Sequence, residues 1–313
     1  MQAKINNVSN AIKKFLPFIF IIILLFAFWT GGCDSFSSIF EQEVSRETDA
    51  AGTLTVHFID VGQGDAIFIQ APEKNILIDG GERNSGVVDY LQNRGVTSLD
   101  LLLSTHPHND HIGGLLAVLE NIPVQEVIDP GVVHTTKTFE DYLTLIDALD
   151  IKFTIGRAGL TRELGEGLIM QILHPADPSA SHLNDASLVT KFTFGRVSFL
   201  FTGDAEEKSE ARMLDSNCPL QSTVLKVGHH GSSSSTSAPF LKTVNPVCAV
   251  IMVGADNKYE HPHAETLQTL AAAGVNVYRT DLQGTITITT DGETFHLDLE
   301  KNIPLPGRPE GNS

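Results

Sequence analysis

The stretch Ser104-Thr105-His106-Pro107-His108-Asn109-Asp110-His111-Ile112-Gly113-Gly114 limits what this chain can be more than any other. It follows a short apolar run, Leu99-Asp100-Leu101-Leu102-Leu103, bounded sharply enough for a buried strand. It precedes Leu115-Leu116-Ala117-Val118-Leu119, which reads as the start of a helix. Four donors, His106, His108, Asp110 and His111, therefore crowd onto one strand-to-helix loop, where a rigid scaffold presents side chains to solvent. Imidazole and carboxylate at this density suit zinc, with manganese or iron as alternatives. The paired glycines let backbone approach the site without a Cβ clash.

Composition narrows the function classes. The 313 residues supply ample core, and 21 basic against 38 acidic residues leave a formal charge of −17. General electrostatic binding of nucleic acid is excluded, because phosphate contacts need Lys and Arg. A nucleic acid would have to be gripped mainly through metal. Cys33, Cys218 and Cys248 show no Cys-x-x-Cys spacing, so no zinc knuckle is expected, and no disulfide is assigned to Cys218 and Cys248.

Residues 1–33 read as an export or anchor segment. Lys4, Lys13 and Lys14 precede an apolar run from Phe15 to Trp29, and Thr30-Gly31-Gly32-Cys33 ends it like a lipoprotein lipobox, with Thr30 where an aliphatic is usual. Lipidation at Cys33, an uncleaved anchor and simple secretion all place the rest outside the cytoplasm. Residues 34–52 form an acidic tether, which as a flexible chain spans about 25 Å. The folded domain is expected over residues 53–300, and 301–313, rich in Pro and Gly, as a disordered tail.

Within 53–300, hairpins alternate with strand-and-helix segments. Leu54–Asp60 and Ala66–Ile69 flank a glycine turn, and Asn75–Ile78 leads into Asp79-Gly80-Gly81. Ser187–Phe194 and Val197–Phe201 open a second half of the same kind, followed by a helix over 206–214 and strands at 224–227 and 249–253. The pattern predicts two sheets face to face with helices outside.

Four more places offer donors to an open, catalytic metal site, which draws its ligands from several loops. Asp204 ends Phe199-Leu200-Phe201-Thr202-Gly203 and is placed to bridge two ions, or else caps the next helix. His229 and His230 follow Val224–Val227; one is expected as a ligand, the other as a substrate or proton contact, with Ser232 nearby. His261 and Asp79 are expected to line the site, Asp79 by holding a ligand histidine.

Phe58-Ile59-Asp60-Val61-Gly62-Gln63-Gly64-Asp65-Ala66, the His106–His111 loop, Phe201-Thr202-Gly203-Asp204-Ala205-Glu206 and Lys226-Val227-Gly228-His229-His230-Gly231-Ser232 together resemble the metallo-β-lactamase superfamily. They most resemble the branch of the late-competence DNA-uptake protein ComEC, in its C-terminal domain. The resemblance implies an α/β fold, a four-layer αββα sandwich of two mixed sheets flanked by helices, with two divalent ions between the sheets. By it, His106 and His108 hold the first ion, Asp110 and His111 the second, and Asp204 bridges. His230 is expected among the ligands, and Asp65 behind them or at the substrate. Where many members have a third histidine for the first ion, this chain has Ser181-His182-Leu183-Asn184-Asp185-Ala186-Ser187, so His182, Asn184 or Asp185 is expected to approach it. The multi-pass channel part of that branch has no counterpart in this sequence.

The expected chemistry is hydrolysis by water acidified between two ions. Asp110 orients that water or takes its proton, and His229 or His230 steadies developing charge. A phosphodiester is the preferred substrate, on a membrane-tethered protein outside the cytoplasm. A lactam, lactone or thioester hydrolase and a non-enzymatic accessory binder are the alternatives. The oligomeric state is left open.

Overall fold

The computed structural model describes residues 52–177 and 182–302. Fifteen strands, numbered in chain order, form two mixed sheets. The first sheet has the order β15-β14-β1-β2-β3-β4-β5-β6. Its strands are β1 (Leu54–Phe58), β2 (Ile67–Gln70), β3 (Asn75–Ile78), β4 (Leu101–Leu103), β5 (Glu126–Asp129), β6 (Lys152–Ile155), β14 (Ile286–Thr290) and β15 (Phe295–Leu299). The second has the order β13-β12-β11-β10-β9-β8-β7. It comprises β7 (Thr161–Glu163), β8 (Leu168–His174), β9 (Val189–Phe194), β10 (Val197–Phe201), β11 (Val224–Lys226), β12 (Cys248–Ile251) and β13 (Asn276–Arg279). Pairing is antiparallel from β15 to β3 and parallel from β3 to β6. In the second sheet it is parallel from β10 to β13 and antiparallel from β7 to β10.

Three apolar clusters separate four layers. Leu101, Leu103, Phe58, Phe192, Phe199 and Phe201 belong to the cluster between the sheets. Leu102 turns instead toward the helices Val87–Asn93, Leu115–Asn121 and Lys137–Ala148. Leu200 turns toward the helices Glu207–Asp215, Ala238–Val244 and Ala264–Ala272. Strands such as β4 and β10 are buried on both faces, which is why they read as continuous apolar runs. Each fully buried Phe contributes roughly 2–3 kcal/mol through area removed from water.

The expected αββα sandwich is the observed one, with differences at the margins. Strands β6 and β7 carry mostly exposed residues at the sheet edges; β6 alternates over only four residues, Lys-Phe-Thr-Ile, and β7, Thr-Arg-Glu, has no apolar residue to announce it. A four-residue helix, Asn109–Ile112, sits inside the donor loop itself. Cys218 and Cys248 are free thiols. The predicted anchor with Cys33, the tether and nearly all of the tail lie outside the described residues. Among the described residues no helix is long and apolar enough to cross a membrane.

Candidate metal centre

Strands β3, β4, β10 and β11 all point their carboxyl ends at one side of the sandwich, and the donors follow those ends. In open parallel sheets this is where crevices form, because successive loops diverge there. Asp79 follows β3, His106 to His111 follow β4, Asp204 follows β10, and His229 with His230 follow β11. The close approach needs small residues: a Cβ on Gly114 would collide with the Gly80 carbonyl.

His106, His111 and Asp204 form one trio whose donor atoms all lie within 4.8 Å of one another; Asp110, His111 and His230 form a second. Asp204 Oδ2 lies 3.6 Å from His106 Nε2, 3.3 Å from His111 Nε2 and 3.8 Å from His229 Nε2. His230 Nε2 lies 3.5 Å from Asp204 Oδ1 and 3.4 Å from Asp110 Oδ2. His108 Nδ1 shares a hydrogen bond of 2.9 Å with His106 Nε2.

Two groups aim the central imidazoles. Asp79 accepts from His111 Nδ1 at 2.8 Å, and its oxygens also accept from the Thr105 amide and hydroxyl at 2.8 and 2.6 Å. A carboxylate only accepts, so Nδ1 of His111 carries the proton and Nε2 faces Asp204. His230 Nδ1 donates to the Met252 carbonyl at 2.9 Å, which turns its Nε2 to the cavity in the same way.

Four atoms of the cluster have no partners of their own. His111 Nε2, His230 Nε2, Asp204 Oδ1 and Asp65 Oδ1 are buried without a hydrogen bond. Burial alone would lower His111 and His230, but the surrounding carboxylates, Asp204 first, outweigh it and raise both well above the usual histidine range. For Asp110, burial raises the carboxyl, yet His111 and His230 hold it well below its ordinary value. Burial, reinforced by His111, pushes His106 and His108 down. Divalent ions binding here would displace the protons held on His111 and His230. Buried, unpartnered nitrogens and carboxylate oxygens, on Asp65 and at the ends of β4, β10 and β11, fit such ions.

Not every expected donor arrives. Asp185 turns away, its carbonyl and Oδ1 accepting from Ser209 Oγ at 3.1 and 3.2 Å. His182 is exposed. Asn184 does stay at the site: its Nδ2 lies 3.5 Å from His229 Nε2 and donates to Glu206 at 3.2 Å, and its Oδ1 is buried without a hydrogen bond. Ser232 braces its own loop, bonding Ser234 Oγ at 2.9 Å while its carbonyl accepts from Thr266, and is not part of the cavity wall. Asp65 is buried against Lys226, whose Nζ is 2.5 Å away. Burial would raise its carboxyl, and Lys226 followed by His230 holds it down. His261 does line the cavity, its ring 5.4 Å from that of His229, with burial lowering it to about 4.

The cavity holds about 450 Å³ and adds walls that residue type alone did not mark: Gln63, His134, Lys258 and Tyr259. Glu206 was hidden as the first charge of a surface helix, yet it accepts from His229 Nδ1 at 3.1 Å and so aims that ring at Asp204. The signal available was its place two residues after Asp204. Lys226 had a clearer one: a lysine inside an otherwise apolar strand.

Fold and site together define a metallo-hydrolase, and the chain belongs to the Metallo-beta-lactamase superfamily, whose profile matches residues 59–254. Its relatives are competence proteins of the ComEC kind. ComE operon protein 3 of Bacillus subtilis is 32% identical over 252 residues, covering 74% of this chain and 32% of that protein. Recombination protein 2 of Haemophilus influenzae is 33% identical over 263 residues, covering 81% and 30%. The chain thus spans about a third of the length of the curated relatives it matches. Among solved structures, the metallo-β-lactamase fold protein YhfI of Bacillus subtilis superposes with a TM-score of 0.52 at 12% identity, covering 76% of this chain and all of that one. CmlA of Streptomyces venezuelae, a diiron β-hydroxylase, gives 0.50 at 15% identity, covering 75% and 53%. Fold alone therefore does not choose the chemistry.

Proposed function

We propose that this protein is a metal-dependent phosphodiesterase of the cell envelope, with zinc as the resident ion and manganese able to replace it. The observation that carries the reading is the cluster in which His106, His108, His111, His230, Asp110 and Asp204 meet, His106 and His111 wholly buried and the other four lining one cavity. Its wall also supplies Lys258, the one Lys or Arg among the lining residues, beside the half-exposed Tyr259 ring. An ammonium at the rim of a metal cavity suits a substrate whose charge remains after bond cleavage, as a phosphate's does.

His106, His108 and Asp204 would hold one ion, and Asp110, His111 and His230 the other. Bound there, paired divalent ions acidify water and stabilise both the attacking and the leaving oxygen of an in-line displacement. Asp79 and Glu206 keep His111 and His229 in register with Asp204, so the donors need no reorganisation. Asp110, at the cavity wall, is the carboxylate positioned to steer a proton from the attacking water. Lys258 meets the ester's unreacting charge, and His261, neutral at pH 7, offers a hydrogen-bond acceptor or donor rather than a charge.

The envelope location rests on the predicted anchor of residues 1–33 and on relatives named for competence. Turnover of bis(p-nitrophenyl) phosphate, nitrocefin and a thioester by the full chain, with and without chelator, tests the reading. Chelator-sensitive cleavage of the phosphodiester alone is the expected result. Preference for nitrocefin or the thioester would move the protein to the other hydrolase class, and metal-loaded protein cleaving none of the three would leave an accessory binder.

A further inference from the structure

Lys226 ends β11 with none of its surface exposed, directly beneath the donor cluster. Its Nζ touches Asp65 Oδ2 at 2.5 Å, donates to the Gly203 carbonyl at 2.8 Å, and lies 3.8 Å from Asp204 Oδ1. An ammonium is tolerated at such depth only when paired and hydrogen-bonded. The surroundings are those of a cation position. Two further trios with all donor atoms within 4.8 Å run through Asp65: Asp65 with Asp204 and His230, both shared with the trios above, and Asp65 with Asp79 and His111. Asp65 is common to both: its Oδ1 lies 3.4 Å from His230 Nδ1, the nitrogen that donates to the Met252 carbonyl, and its amide donates to the Asp110 carbonyl at 3.2 Å.

We propose that Lys226 is a built-in cation: its ammonium fills the third cation position of the cluster, holds Asp65 out of metal coordination and so limits the centre to two divalent ions. Lys226 is thereby a positioning residue, acting through Asp65 and Asp204. The inference rests on the metal-centre reading and deepens it, but not on the choice of substrate. A lysine serves this purpose better than a third ion because its charge is fixed to the strand and cannot be lost to chelation. It meets Asp65 and the Gly203 carbonyl with two of its three protons, and the third is free toward Asp204.

Metal counting tests it without reference to activity. Full-length wild type, Lys226→Met and the double variant Asp65→Asn/Lys226→Met are stripped with chelator, reloaded with Zn(II) or Mn(II), dialysed and assayed for metal per chain and for Tm. Wild type is expected to hold two ions. Lys226→Met is expected to take a third and to show a metal-induced rise in Tm roughly 5 °C larger than wild type's, because the ion replaces the lost charge. The double variant, with both members of the Asp65–Lys226 pair made neutral, is expected to return to two ions and the wild-type rise. If Lys226→Met does not fold, the double variant alone decides: two ions support the inference, and a third ion or none overturns it. Two ions and an unchanged Tm rise in Lys226→Met also overturn it. Loss of phosphodiester turnover by wild type that still counts two ions would end the proposed substrate and leave this inference standing.

Discussion

In the first half of the sandwich, four donors crowd into six residues of one loop, and neighbouring side chains aim them. In the second half, Asp204, His229 and His230 come from two separate strand ends, and the backbone does much of the aiming. His111 is held by a carboxylate, Asp79, whereas His230 is held by the Met252 carbonyl. His108 has an ordinary extended conformation at φ −74°, whereas Gly203, His229 and His230 sit at φ 51°, 45° and 54°. Only Asp79, at φ 56°, is comparably placed among the first-half site residues. Left-handed backbone costs a non-glycine residue about 1–2 kcal/mol. The second half therefore carries strain that the tertiary fold must offset, while the first half carries a dense polar network.

The two sets of donors can be set against one another by mutation. Asp204 is the residue both halves share, so Asp204→Asn should have the largest effect. Metal content should drop below that of wild type, and hydrolysis should fall about 10³-fold, the scale on which preorganised charge acts. Metal analysis beside kcat/KM checks this, and near-wild-type values would separate the halves into independent sites.

A smaller effect is expected from Asp79→Asn. The amide can still accept but no longer carries a charge, so the grip on His111 loosens and metal affinity should fall about 10- to 100-fold. Competition with a chelator of known affinity reads it out. No equivalent substitution exists for His230, whose partner is main chain, and that asymmetry is the point of the comparison.

The smallest effect reads the strain directly. In chelator, His229→Gly should be more stable than His229→Ala by about 1 kcal/mol, since glycine accepts φ 45° without a Cβ penalty. At position 108, an N-cap already in extended backbone at φ −74°, glycine relieves no such strain, so its lead over alanine should be smaller than at 229. Urea unfolding of the four variants decides it, and equal leads at both positions would remove the contrast between the halves.

Much of the site could be read along the chain because its chemistry is locally dense. His106, His108, Asp110 and His111 declare themselves by spacing, and Asp204 and His230 by their positions just after apolar strands. Asn184 and Asp185 could not be sorted this way. They are adjacent in sequence, but a short helical turn sends Asp185 to Ser209 and Asn184 to Glu206 and His229. Glu206 looked like the solvated start of a charged helix, and only the fold turns it onto His229. Strands β6 and β7 were illegible for a different reason: at a sheet edge the pairing is supplied by one neighbour and little apolar surface is required.

By itself the sequence determined which segments are buried strands, that two sheets stack with helices outside, and that imidazoles and carboxylates gather at strand ends, because periodicity and residue type act locally. The tertiary structure alone decided which donor atoms are left facing one another and which are taken up elsewhere. Whether Asp65 meets an ion or the Lys226 ammonium depends on contacts between residues 161 positions apart, and nothing in local pattern carries information across that distance.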